Sequence, residues 1–181
     1  MSGSESTPIP GCFRFKINPR FQDTRGFFVK PLHKDFLKTQ GIEFECRESF
    51  ISFSKHTVLR GMHFQIPPFD HDKIVSCIDG EIFDVVVDLR PGSPTDGLAL
   101  SFKLSGESGE ALFIPRGCAH GFQVLTEKGA WVAYYTSREY HPASDQGIHW
   151  KSVPIEWPLT HPIVSDRDEA FAKFGEVKYF S

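Results

Sequence analysis

Apolar and polar residues alternate through most of the middle of the chain, and recur at helical spacing only near its two ends. In the segment 82–90, IFDVVVDLR, Phe83, Val85, Val87 and Leu89 fall on one face and Asp84 and Asp88 on the other, which predicts a half-buried strand. Comparable runs occupy 12–17, 44–54, 73–80, 98–104, 110–115, 121–125 and 130–137. Turn formers such as Asp79-Gly80, RPGSPTDG and SGESG separate them. Many short, evenly spaced strands predict a mostly β sandwich or barrel. Helical spacing is confined to HKDFLKTQG, with Gly41 as a stop, and SDRDEAFAKFG, with Ser165 as a cap. Residues 1–11 are expected as a flexible lead-in and 12–181 as one β-rich domain closed by a C-terminal cap. No internal repeat is visible.

Composition narrows the function classes. The 181 residues suffice for one sizeable core. A net charge of −3 argues against nucleic acid as partner and against a polybasic membrane surface. Neither a secretory signal nor an apolar run of membrane-spanning length is found, so no membrane association is expected. Cys12, Cys46, Cys77 and Cys118 lie far apart with no CxxC pair, which predicts reduced thiols and a cytoplasmic setting.

Two histidines stand out. His63 sits inside VLRGMHFQ, a run that otherwise reads as a buried strand. His120 follows a Pro115-Arg116-Gly117 turn in GEALFIPRGCAHGF, and that spacing resembles the second sequence element of the cupin barrels, with Val124 where asparagine is usual. Metal-binding cupins carry His-x-His in their first element. This chain has His63-Phe64-Gln65, so a divalent metal would lack a ligand, and proton chemistry without a metal is the expectation.

RGFF at 25–28, LRGMHFQ at 59–65, Lys73, GEIFDVVVDLRPGSPT at 80–95, IPRGCAHGFQVL at 114–125, Tyr134, and IEWPL with PIVSDRD at 155–168 together resemble the dTDP-4-dehydrorhamnose 3,5-epimerase family. The resemblance spans residues 12–170. It implies a jelly-roll cupin barrel, a homodimer, no cofactor, and a substrate that is a nucleotide-diphosphate 4-keto-6-deoxysugar inverted at C3, C5 or both. The C4 ketone acidifies the hydrogens on both neighbouring carbons, so the chemistry needs a base, a proton donor on the opposite face and charge near the ketone oxygen.

Carried over by position, the resemblance implies His63 as base and Asp168 as the carboxylate that orients it. It implies Tyr134 as donor, with Tyr135 next to it as the competing residue, and Lys73 near the ketone. Arg60, Arg25 and His120 would bind the diphosphate, and Phe28, Glu48, Gln65 and Tyr140 would complete the substrate site. Arg60 and His63 share one face of a strand only if Gly61 marks a bulge. Departures from the family pattern gather at the nucleotide side, in Lys30, Glu48 and Phe50, which leaves CDP and GDP beside dTDP. The loop IPPFDHDK, which holds His71, departs as well; it borders the expected pocket, where it would either reshape the sugar site or stiffen a surface loop. A sugar-nucleotide 3,4-ketoisomerase and a non-catalytic sugar-nucleotide-binding cupin are the alternative functions.

Overall fold

A computed structural model describes residues 4–17, 21–176 and 180. Two antiparallel sheets face each other. One runs in the order β1 (Glu5–Ser6), β2 (Phe13–Lys16), β10 (Glu110–Ile114), β7 (Lys73–Asp79), β12 (Ala130–Thr136), β5 (Glu48–Ser54). The other runs β13 (Asp145–Gly147), β6 (Leu59–Gln65), β11 (Cys118–Val124), β8 (Glu81–Asp88), β9 (Ala99–Ser105). A separate hairpin pairs β3 (Phe21–Asp23) with β4 (Gly26–Phe28), and α1 (Lys34–Thr39) and α2 (Asp166–Glu169) complete the fold. The strand spacing predicted a sandwich or barrel, and the two sheets form the jelly-roll cupin architecture that the resemblance implied.

Alternation places Val75, Cys77, Val86, Leu112, Phe122 and Val132 between the sheets. Burying each large apolar side chain there contributes about 1.5–3 kcal/mol. The expectation for β8 needs correction, because the strand is buried on both faces. Its Val85 and Val87 meet Met62, Phe64, Ile148 and Val153 in a second apolar cluster, over which Trp157 and Phe174 of the C-terminal segment pack. Asp84 therefore points into the barrel between Ile82 and Val86, fully buried, rather than toward water.

Two boundaries also differ. Of the lead-in expected to be flexible, residues 1–3 lie outside the described residues, while Glu5 and Ser6 pair with β2 and Ile9 is wholly buried. The helix expected over 165–175 is a single turn. Ser165 caps it as predicted, its hydroxyl accepting the Asp168 N–H at 3.1 Å, but past Ala170 the chain leaves the helix.

Strand β6 breaks its alternation at Gly61. His63 pairs with His120 and Arg60 with Phe122, so Gly61 and Met62 together oppose the single residue Gly121. Gly61 has φ of +131°, and a Cβ there would lie 2.5 Å from the Gly121 Cα. The bulge sends Met62 into the outer cluster and leaves both Arg60 and His63 facing the barrel interior.

Candidate active site

The interior opens into a cavity of about 370 Å³ between the sheets. His63 and Gln65 enter it from β6, Lys73 from β7, His120 from β11, Tyr134 from β12 and Glu48 from β5, and Arg60 and Tyr140 are also on its walls. Alternation settles the adjacent tyrosines, since Tyr134 lines the cavity and Tyr135 packs in the cluster around Phe15 and Ile74.

His63 Nε2–H donates to Asp168 Oδ1 at 2.8 Å, and the Gly61 N–H donates to Asp168 Oδ2 at 3.0 Å. One carboxylate thus ties His63 to the bulge that orients it. Burial pushes the Asp168 carboxyl up, and the bonds from His63, Gly61 and Ser165 outweigh that push and hold it below its ordinary value. With Nε2 engaged, the imidazole presents Nδ1 as its free basic nitrogen. Phe171 meets the His63 ring edge-on at 5.8 Å. It reaches that place only because Gly147, the β13 partner of His63, has no Cβ to meet the phenyl ring.

The other groups have environments that fit proton chemistry. Burial pushes the Lys73 ammonium down to about 8, and Lys73 Nζ donates to the His63 carbonyl at 3.4 Å. Tyr134 is held between Phe50, stacked on it at 4.6 Å, and the edge of His120 at 6.2 Å. Burial raises its phenol further above its ordinary value, so the hydroxyl keeps its proton. His120 Nε2–H donates to Asp84 Oδ2 at 2.8 Å in a pair sealed from solvent. The β6–β11 register places His120 opposite His63, and Asp84 Oδ1 is buried without a hydrogen-bond partner among the described residues. Burial raises the Asp84 carboxyl.

Two predicted site residues are elsewhere. Arg25 and Phe28 sit on the exposed β3–β4 hairpin, where Arg25 pairs with Asp23 at 2.5 Å and its side chain is 88% exposed, and neither lines the cavity. Glu48 accepts the Tyr140 N–H at 2.7 Å, and so positions a neighbouring wall residue. Arg138, Asp145, Arg167 and His71 line the cavity without having been singled out as site residues. Arg167 was accessible to a closer reading, since it precedes Asp168 in SDRD, and it pairs with Asp145 at 2.7 Å. Arg60, Lys73, Arg138 and Arg167 give the cavity a cationic lining suited to a diphosphate. Among the described residues no three His, Cys, Asp or Glu side chains converge as metal ligands.

Residues 6–176 match the family model described as dTDP-4-dehydrorhamnose 3,5-epimerase. The chain is 41% identical to the dTDP-4-dehydrorhamnose 3,5-epimerase of Shigella flexneri over 96% of its own length and 97% of the relative's. It is 37% identical to the dTDP-4-dehydrorhamnose 3-epimerase of Streptomyces niveus over 86% of this chain and 76% of that one. The crystal structure of dTDP-6-deoxy-D-glucose-3,5-epimerase from Legionella pneumophila Philadelphia 1, in complex with dTDP-4-keto-L-rhamnose, superposes with a TM-score of 0.86 at 36% identity, covering 94% of this chain and 92% of that one. With the match running from the first sheet strand through the turn that carries Asp168, the chain belongs to the dTDP-4-dehydrorhamnose 3,5-epimerase family.

Proposed function

We propose that the protein inverts C3, C5 or both on a dTDP-linked 4-keto-6-deoxyhexose in deoxysugar biosynthesis, by removing and returning protons next to the C4 ketone. The observation that carries the residue assignment is the 2.8 Å His63–Asp168 pair opening onto a cavity that also holds Lys73 and Tyr134. His63 Nδ1 takes the proton from the carbon next to the ketone. The electron pair moves onto the ketone oxygen as the C–C bond becomes an enolate, and the Lys73 ammonium offsets that charge. Tyr134 returns a proton to the opposite face, and the electron pair flows back to restore the ketone with the carbon inverted. Arg60, with Arg138 and Arg167, holds the diphosphate, and Tyr140 and Phe50 flank the remainder of the nucleotide sugar.

The working unit is a homodimer. Arg25 and Phe28 belong to the RGFF motif, yet their hairpin stands clear of its own cavity with Phe21, Phe27 and Phe28 exposed. A two-fold partner gives that hairpin a cavity to complete and an apolar surface to cover. We place the enzyme in the cytoplasm, where its four free cysteines remain thiols. Among the described residues no helix is long and apolar enough to cross a membrane.

The test is proton NMR in deuterated water with dTDP-4-keto-6-deoxyglucose. Disappearance of the C3 or C5 hydrogen signal, or of both, is expected. Retention of both signals alongside tight binding would show a binding protein, and migration of the carbonyl to C3 would show a ketoisomerase.

A further inference from the structure

The loop 66–72 joins β6 of one sheet to β7 of the other and forms one lip of the cavity. It is held from both sides. The Asp72 carboxylate receives the Arg116 N–H at 2.9 Å and the Arg116 guanidinium at 3.1 Å, the Asp72 N–H donates to the Ser137 hydroxyl at 2.9 Å, and the Asp72 carbonyl accepts the Ser137 N–H at 2.9 Å. Phe69 stacks face to face on His141 with ring centroids 3.7 Å apart. Gln65 stitches the two lips together, its amide nitrogen meeting the Phe69 carbonyl at 2.8 Å and His71 Nδ1 at 3.1 Å. Its amide oxygen accepts the His141 N–H at 2.6 Å.

That last bond orients the Gln65 amide. With Gln65 Oε1 committed to a backbone N–H, Gln65 Nε2 faces His71 Nδ1, the Phe69 carbonyl and, at 3.3 Å, the Glu139 carbonyl. Holding Nδ1 against Gln65 leaves Nε2 as the ring nitrogen turned away from it. Burial, followed by the nearby Lys73 ammonium, pushes the imidazole down to about 3, which keeps it neutral. His71 lies two positions before Lys73, so in extended chain the two share a face, and both line the cavity.

We infer that His71 is a specificity-determining residue whose Nε2–H donates to the hydroxyl on C3 of the sugar, beside the ketone that Lys73 faces. The inference rests on the proposed sugar-nucleotide reading. It follows from what flanks that ketone, since C3 carries a hydroxyl while C5 carries a methyl group and the ring oxygen. An anchored donor loses little entropy on binding and discriminates against a ligand without the acceptor. Nothing in this role moves a proton, so His71 acts on affinity and leaves the acid–base step to its neighbours.

Binding separates the inference from catalysis. Titration calorimetry compares dTDP-6-deoxyglucose, which lacks the ketone and does not react, with its 3-deoxy counterpart, on wild type, His71→Ala and His71→Gln. Wild type should bind the 3-hydroxy sugar at least about fivefold more tightly than the 3-deoxy sugar. His71→Ala should lose that preference while binding the 3-deoxy sugar as wild type does, and His71→Gln, which keeps an N–H donor, should restore part of it. Equal weakening of both ligands in His71→Ala, or an undiminished preference, would overturn the assignment. A wild type that binds neither ligand would overturn the sugar-nucleotide reading and this inference with it, whereas binding here with no hydrogen exchange into dTDP-4-keto-6-deoxyglucose by NMR would overturn only the epimerase chemistry.

Discussion

Asp168 reaches His63 across 105 positions of sequence and meets it at 2.8 Å, with its second oxygen on the Gly61 N–H. The carboxylate joins the C-terminal turn, the bulge and the imidazole in one rigid unit. Replacing Asp168 by Asn leaves a group of the same shape that no longer stabilises the imidazolium formed when His63 takes a proton. Exchange of sugar hydrogens with solvent should fall roughly 10²- to 10⁴-fold, read by NMR in deuterated water.

The same residue sets an acid limit on stability. A carboxyl whose folded pKa lies below its unfolded value contributes stability above the ordinary carboxylate range, and loses that contribution as pH falls through the folded value. Urea melts of wild type should therefore weaken below about pH 4. In Asp168→Asn this part of the acid-side loss should be gone, seen as a flatter profile there.

Lys73 behaves oppositely. Burial lowers it to about 8 from an unfolded value near 10.5, so the cost of holding a buried charge is present below pH 8 and relieved as pH rises between the two values. The proposed role needs the ammonium, so turnover should decline as pH rises through about 8. Lys73→Met should abolish most turnover and yet melt at a higher temperature than wild type at pH 7, by calorimetry. A lower melting temperature would show that the 3.4 Å bond to the His63 carbonyl outweighs desolvation.

Gly61 carries the bulge that brings Arg60 and His63 to one cavity. An alanine there combines a φ of +131° with a Cβ 2.5 Å from the Gly121 backbone, and backbone cannot swing away as a side-chain tip can. A loss of about 3 kcal/mol in denaturant melts is expected. Any folded fraction should exchange sugar hydrogens more slowly than wild type, because realigning β6 turns one of the two residues away from the cavity.

The homodimer proposal has its own readout. If the hairpin of one subunit completes the cavity of the other, Arg25→Ala and His63→Ala each yield an impaired homodimer, while a mixed dimer contains one intact site. Mixing and refolding the two variants should recover roughly a quarter of wild-type activity, given random pairing and half-active mixed dimers. A monomeric native mass, or no recovery on mixing, would count against it.

The sequence was most informative where burial is one-sided or where chemistry imposes residue type. Alternation located β5, β7, β9, β10 and β12, and the motif string led to His63, Lys73, Tyr134 and Asp168. It misled at β8, because period-two reasoning assumes one wet face and cannot see that Trp157 and Phe174 return from far along the chain to cover the other. His71 was legible only as part of a loop bordering the pocket: in a loop, no periodicity says which way a side chain points, and its bond to Gln65 exists only once the two lips meet. Arg25 and Phe28 illustrate the reverse limit, since a motif ties them to a site that a lone chain does not form around them.

The position of Asp168 also orders events during synthesis. Every strand of both sheets lies before Ser165, so the barrel can close and bury most of its core while the last turn is still inside the ribosome. Until Asp168 emerges and docks beneath Gly61, His63 has no carboxylate to hold its tautomer. On the roles proposed for His63 and Asp168, a nascent barrel is folded and still idle, and a protease that clipped the chain just before Ser165 would return a finished enzyme to that condition.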